Sequence, residues 1–128
     1  MNNKFNKTNI VGWLVFLLVF IVYYFSVERN GSLWDCGEFV LGAYKLQVVH
    51  PPGAPFFIII GRMFALIADL LSDNPSYIAF AVNLMSAMCS ALASMFVCWI
   101  TMMFGRVALF GRDYNNENNE SWAVLGAG

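Results

Sequence analysis

Two charge-free apolar runs, Ile10 to Val27 and Ile78 to Phe104, constrain this chain more than anything else in it. A helix needs about 20 apolar residues to cross the hydrocarbon core of a bilayer, and both runs are of that order. Only 12% of the 128 residues are charged and 59% are hydrophobic, whereas an average soluble domain carries roughly 25% charge. The fold class that follows is an all-α membrane protein with membrane lipids as partners. A formal net charge of −1 gives no reason to expect nucleic acid, which needs a basic footprint.

Residues 1–9 are polar and carry Lys4 and Lys7. A basic start before an apolar core also opens a signal peptide, but bulky Tyr23-Tyr24-Phe25-Ser26-Val27 lacks the small residues of a cleavage site. A first transmembrane helix over about 10–27 is therefore expected, with Trp13, Tyr23 and Tyr24 suited to the interfaces. A second apolar segment covers about 56–71, contains Arg62 and ends near Asp69; it is short and borrows length from its proline-rich entry. Ser72-Asp73-Asn74-Pro75 reads as a tight turn. The third segment, about 78–104, is studded with alanine and serine, which let helices approach closely, and its length suggests tilt. An Asn-rich polar loop runs from Gly111 to Ser121, and an apolar stretch from about 122 reads as the start of a fourth helix. Residues 1–128 are thus expected to be the N-terminal part of a larger polytopic domain.

Cys36, Cys89 and Cys98 are too few and too scattered for a disulfide framework. Cys89 and Cys98 lie in an apolar helix and read as small hydrophobes. Cys36 has no cationic neighbour in sequence to activate its thiol. Lys4 and Lys7 favour a cytoplasmic N-terminus. Three full crossings would then place Arg29, Lys45, Arg106 and Arg112 outside, against the preference of basic residues for the cytoplasm; function could hold Arg29 and Lys45 there, but not Arg106 and Arg112. The conflict is relieved if one of the three apolar segments does not cross fully.

The chemistry-bearing residues are concentrated between the first two segments. Asn30-Gly31 signals a turn, and Ser32-x-x-Asp35 fits a capping box, so a loop helix is expected over about 32–49, stopped by His50-Pro51-Pro52. On it Asp35, Glu38, Gly42 and Lys45 share one stripe, which makes an amphipathic helix suited to the membrane interface. Asp35 and Glu38, at i and i+3, have Cβ atoms about 5–6 Å apart. Carboxylates that close, near a low-dielectric phase, are expected to raise each other's pKa. One can then act as a general base while the other positions a group. The bland alternative leaves Asp35 as a capping acid and Glu38 as a solvated partner of Lys45 or Arg29. His50 fits either a ligand-contacting role or a helix C-cap interacting with the dipole. Pro51-Pro52-Gly53-x-Pro55 fixes the backbone sharply where the chain re-enters the bilayer. Arg62, inside an apolar segment, calls for a partner: a phosphate, an acid, or the interface by snorkelling. Asn83 is expected to make an interhelical hydrogen bond.

The stretches Trp34-Asp35-Cys36-Gly37-Glu38-Phe39, Ala43-Tyr44-Lys45-Leu46-Gln47-Val48 and His50-Pro51-Pro52-Gly53-Ala54-Pro55-Phe56 resemble the opening of the bacterial protein O-mannosyltransferase-like membrane family. The resemblance covers roughly residues 10–105 and is specific in the loop. It implies a GT-C glycosyltransferase fold in a bacterial inner (cytoplasmic) membrane, with the acidic first loop extracytoplasmic. It also implies a polyprenyl-phosphate-linked sugar as donor and a protein Ser/Thr hydroxyl or a glycan as acceptor. By motif position, Asp35 or Glu38 carries the catalytic acid role; His50, Lys45 and Arg62 are the candidate substrate-binding residues, the last two able to neutralise a phosphate leaving group if they converge. No cofactor is implied, and a divalent metal is compatible with the loop but not indicated by it. Two other classes fit the residues alone: a non-catalytic module binding a lipid head group or partner, and part of a transporter. An internal repeat would favour a transporter, and the sequence shows none.

Overall fold

The computed structural model describes residues 7–30, 34–51, 53–72 and 74–111. Four helices make up the described chain: α1 Lys7–Ser26, α2 Cys36–Lys45, α3 Pro55–Leu71 and α4 Pro75–Phe110. There is no strand among the described residues. The fold is all-α, and α1 and α4 are long and apolar enough to cross a membrane. At 1.5 Å per residue the 36-residue α4 is about 54 Å long, well beyond a hydrocarbon core of about 30 Å. The 17 residues of α3 reach only about 25 Å. The Ser32 cap, the polar loop beyond Gly111 and the fourth apolar segment from about 122 lie outside the described residues.

The chain divides into two compact units, Met1–Val22 with Cys89–Gly128, and Tyr23–Met88. In the first, the start of α1 lies beside the last turns of α4. The Trp99 indole N–H donates to the Thr8 carbonyl at 3.2 Å, and the Arg106 guanidinium donates to the Thr8 hydroxyl. Buried Cys98 and Met102 pack with Val11, Val15 and Phe110. Gly12 makes this approach possible: a Cβ there would fall 1.9 Å from Trp99 Nε1. It is the buried residue of α1, whose leucines Leu14, Leu17 and Leu18 are exposed, as suits a helix facing lipid.

In the second unit, the last residues of α1 meet the first turns of α4. Tyr24 packs edge-on against Phe80, Arg29 lies over the same ring, and Asn83 donates to the Glu28 carbonyl at 3.1 Å. Alanine packing joins α2 to α3: Ala43 and Ala65 are fully buried with Ala68, Ile78 and Val82. Gly61 admits this contact, since a Cβ there would sit 2.9 Å from that of Ala43. The start of α4 follows from its sequence. Asn74 Oδ1 accepts the Ser76 N–H at 3.0 Å as an N-cap, and Pro75 takes the first helical position, where its missing N–H costs nothing.

The loop helix differs from the expected 32–49. It starts at Cys36, after Asp35, and ends at Lys45, where Leu46 turns left-handed at φ 52°. Both the Leu46 and Gln47 N–H groups close on the Gly42 carbonyl. The helix therefore stops well before the prolines, and the chain uses 46–54 to turn back. Gly42 is buried against Val49 and Ile58, so it leaves the polar stripe that Asp35, Glu38 and Lys45 keep.

Gly12→Ala should lower the stability of the detergent-solubilised protein by about 1–3 kcal/mol, the usual cost of overpacking. Thermal unfolding reads this directly. In a Trp99→Leu background the same change should cost far less, because the clash partner is gone.

Candidate functional site

Asp35 and Glu38 enter the site from the first turn of α2. The Asp35 carbonyl accepts the Phe39 N–H at 3.0 Å, which makes Asp35 the N-cap by its backbone, while its side chain makes no capping bond. Its carboxylate is exposed. Trp34, just before it, is 94% exposed and held at φ 64°, a strained conformation for so bulky a residue and of a kind that clusters at functional sites.

The loop 46–54 returns His50 to the same place. Its backbone N–H donates to Glu38 Oε1 at 2.7 Å, and its Nδ1 lies 2.8 Å from Glu38 Oε2. Its Nε2 faces Asp35 Oδ2 at 3.7 Å. The Gly53 N–H donates to the His50 carbonyl at 2.9 Å, closing the turn through the proline pair. The imidazole packs edge-on to Phe39 at 6.0 Å between ring centres, and Phe39 in turn packs on Phe57. Beside these rings lies an open, apolar cleft of about 370 Å³ lined by Cys36, Phe39, Val40, Ala54, Phe57, Asn83 and Ser86. The Cys36 thiol donates to Asn83 Oδ1 at 3.5 Å. Asn83 thus links the end of the α1 segment to the start of α2, as its place in an apolar helix predicts.

Both partners of the clasp are shifted. The hydrogen bond to Glu38, then its charge, holds His50 above the ordinary imidazole value; Asp35 adds in the same sense, against a small opposing effect of burial. The hydrogen bonds from the His50 side chain and backbone hold Glu38 below the usual carboxylate range. The expected mutual raising of the two acids fails at Glu38, because the imidazole sits between them. Of the bland readings, Asp35 does stand at the N-cap of α2, by its backbone, while Glu38 pairs with His50 and not with Lys45 or Arg29. His50 is five residues past the end of α2 and is not its C-cap.

Lys45 and Arg62 stay apart from this cluster. Lys45, the last residue of α2, is exposed and suits the dipole there. It follows Glu38 by about 10 Å along the axis. The Arg62 guanidinium donates to the Tyr44 carbonyl and lies 5.3 Å over the Tyr44 ring, so its partner is the end of α2. Asp35, Glu38 and His50 each offer one ligand atom, all within 4.8 Å of one another, a spacing that admits a cation. The clasp engages His50 Nδ1 and each Glu38 oxygen once, and leaves His50 Nε2 and the Asp35 carboxylate outside it. The roles of Phe39 and Trp34 were not evident from spacing. An aromatic within a run of acids and glycine was the signal available for both.

The sequence profile of the family described as "Protein O-mannosyl-transferase TMEM260 N-terminal domain" matches residues 35–128. The chain is 32% identical over 84 residues to a protein of Dictyostelium discoideum named "Protein O-mannosyl-transferase tmem260", a match covering 66% of this chain and 10% of the relative. It is 30% identical over 80 residues to "Protein O-mannosyl-transferase TMEM260" of Mus musculus, covering 62% of this chain and 11% of the relative. The matches thus span about a tenth of these relatives' length, and both relatives are eukaryotic rather than bacterial. No solved structure matches the chain.

The chain has a single histidine, so its imidazole proton signals titrate unambiguously by NMR. Wild-type His50 should titrate above about 6.5, and Glu38→Gln should bring it down. The sign of the stability effect follows. The raised His50 contributes fully below its unfolded value of about 6.5 and loses that contribution as pH rises through its folded value. The lowered Glu38 contributes above its unfolded value of about 4.3 and loses this as pH falls through its folded value. The clasp should therefore be firmest at mildly acid pH and loosen on both sides.

Proposed function

Because the chain belongs to the family of the protein O-mannosyl-transferase TMEM260 N-terminal domain, we propose that it carries the acid loop of a membrane glycosyltransferase of the GT-C type. The enzyme moves a mannosyl unit from a polyprenyl-phosphate donor to a Ser/Thr hydroxyl of a protein, at the extracytoplasmic face of the membrane. The observation that carries this reading is the asymmetric cluster: an imidazole clasped by Glu38 on one side and facing, at 3.7 Å on the other, the carboxylate of Asp35, which makes no hydrogen bond among the described residues.

In this reading Asp35 is the general base. It takes the proton of the acceptor hydroxyl as that oxygen bonds to the anomeric carbon. The bond from the anomeric carbon to the phosphate oxygen breaks, and the electron pair leaves with the polyprenyl phosphate. His50, whose protonated form Glu38 favours, offers Nε2–H to the negative charge that develops on the leaving phosphate. Glu38 is a positioning residue that acts through His50. Lys45 adds positive charge at the far end of α2, and Arg62 holds that end in place through Tyr44. The apolar cleft beside Phe39 offers a dry wall for the lipid end of the donor. The chain's own carboxylates and imidazole supply every step, and no cofactor is called for.

Asp35→Asn in the complete protein should insert normally and lower kcat for mannosyl transfer by about 100-fold or more, the scale of losing a general base. Glu38→Gln should lower transfer through His50, so that the pair Glu38→Gln with His50→Gln costs little more than either alone. Radiolabelled transfer to an acceptor peptide in membranes measures all of these. Near-wild-type transfer by both Asp35→Asn and Glu38→Gln would leave the loop a head-group-binding module and end the catalytic reading.

A further inference from the structure

We propose that Gly42 and Val49 form a seat that positions His50 for its contacts with Glu38 and Asp35, the glycine supplying a hollow and the valine the knob that fills it. Of the described residues from 45 to 54, Val49 alone is buried, at 4% exposure, between Val48 at 93% and the exposed His50. Its side chain occupies the space that the missing Cβ of Gly42 leaves beside Ile58. A Cβ on Gly42 would fall 2.7 Å from Val49 Cγ1 and 3.1 Å from Ile58 Cδ1. Gly42 lies inside α2 and has no positive φ, so no turn requires it there. Glycine is less stable than alanine within a helix. Room for Val49 is the reason that remains.

Seat and clasp fasten the loop at two neighbouring points. Glu38 and Gly42 stand four residues apart, about 6 Å along one face of α2. The returning loop sets Val49 on Gly42 and His50 on Glu38. The His50 N–H that donates to Glu38 Oε1 at 2.7 Å belongs to the planar peptide unit that starts at the Val49 Cα. The β-branched Val49 is stiff at χ1, so a push on its side chain passes to that unit. Carbon atoms in ordinary contact lie about 3.5–4.0 Å apart, so a methyl on Gly42 would drive Val49 back by about 1 Å. Ile58 meets the same methyl with the far end of a flexible side chain and can swing aside. A retreat of that size takes the His50 N–H, and Nδ1 at 2.8 Å from Glu38 Oε2, out of hydrogen-bond range. The Gly42 carbonyl also accepts the Leu46 and Gln47 N–H groups. One residue thus ends the helix and seats the loop.

The seat rests on the geometry of the clasp; only its consequence for catalysis rests on the transferase reading, and the test does not measure transfer. The full chain is prepared in detergent micelles with nitrogen-15 in histidine alone, so its single histidine gives one backbone amide signal and two ring signals. Where the ring is neutral, wild-type His50 should carry its proton on Nδ1, because the Glu38 carboxylate only accepts. Asp35 Oδ2, the other charged group facing the ring, is 3.7 Å from Nε2 and makes no such demand. Gly42→Ala should shift the amide signal and move the ring proton in part to Nε2. Adding Val49→Ala should return both signals toward wild type, because the new methyl then enters space the valine has left. Ile58→Val trims the other neighbour of Gly42 and should leave both signals in place. Wild-type amide and ring signals in Gly42→Ala, even with a lowered thermal midpoint, would make the contact merely structural and overturn the proposal. So would a double variant no closer to wild type than Gly42→Ala. If Gly42→Ala does not fold, Val49→Ala alone decides: it removes the knob and adds no bulk, and hydrogen exchange of the His50 amide should quicken by about tenfold or more. Unchanged exchange would overturn the proposal.

Discussion

The site depends on one contact, the return of His50 onto Glu38. Two hydrogen bonds from one residue, backbone and ring, grip both oxygens of one carboxylate across twelve residues of sequence. The short loop between them then has little freedom left, and the turn that follows is closed by the Gly53 N–H on the His50 carbonyl. The clasp decides three things together. It favours the protonated form of His50, it occupies Glu38, and in the proposed reaction it leaves proton transfer to Asp35. It also sets where Pro55 begins α3, and so where the packed and apolar faces of that helix point.

The bilayer supplies the second constraint. A chain with two helices long enough to cross must bring everything between them to one side if those helices run in opposite directions. The contacts of Thr8 with Trp99 and Arg106 require that direction. They depend on a missing side chain at Gly12, just as the contact of α2 with α3 depends on one at Gly61. Small residues thus place the helices, and the helices place the acids. The resulting geometry sets an apolar cleft next to the polar cluster of Asp35, Glu38 and His50.

Much of this was legible in the sequence. Charge-free runs gave the long helices, although α4 begins at Pro75, inside the expected turn, and not at about 78, and Asp35, Glu38 and His50 stood out as the residues with chemistry to offer. The misreadings have physical causes. Ser32-x-x-Asp35 matched a capping box, but the carbonyl of Asp35 begins the helix, so Asp35 stands at the N-cap and not inside the first turn. Helical periodicity carried α2 through to Val49 because nothing in Leu46-Gln47-Val48 forbids a helix. Its end is set by tertiary contacts, Gly42 with Val49 and Ile58, and Arg62 with the Tyr44 carbonyl. Arg62 looked like a phosphate ligand for the same reason: an arginine in an apolar run needs a partner, and sequence does not reveal that a helix end supplies it. The clasp itself was invisible, since local spacing does not show that His50 folds back.

The account rests on the acid cluster facing the side where polyprenyl-phosphate sugars are presented. A single cysteine at Asn30, in a background lacking Cys36, Cys89 and Cys98, tests this in intact cells with a membrane-impermeant thiol reagent. Labelling without breaking the membrane is the expected result. Labelling only after permeabilisation would put Asp35, Glu38 and His50 in the cytoplasm and contradict the proposed transfer reaction.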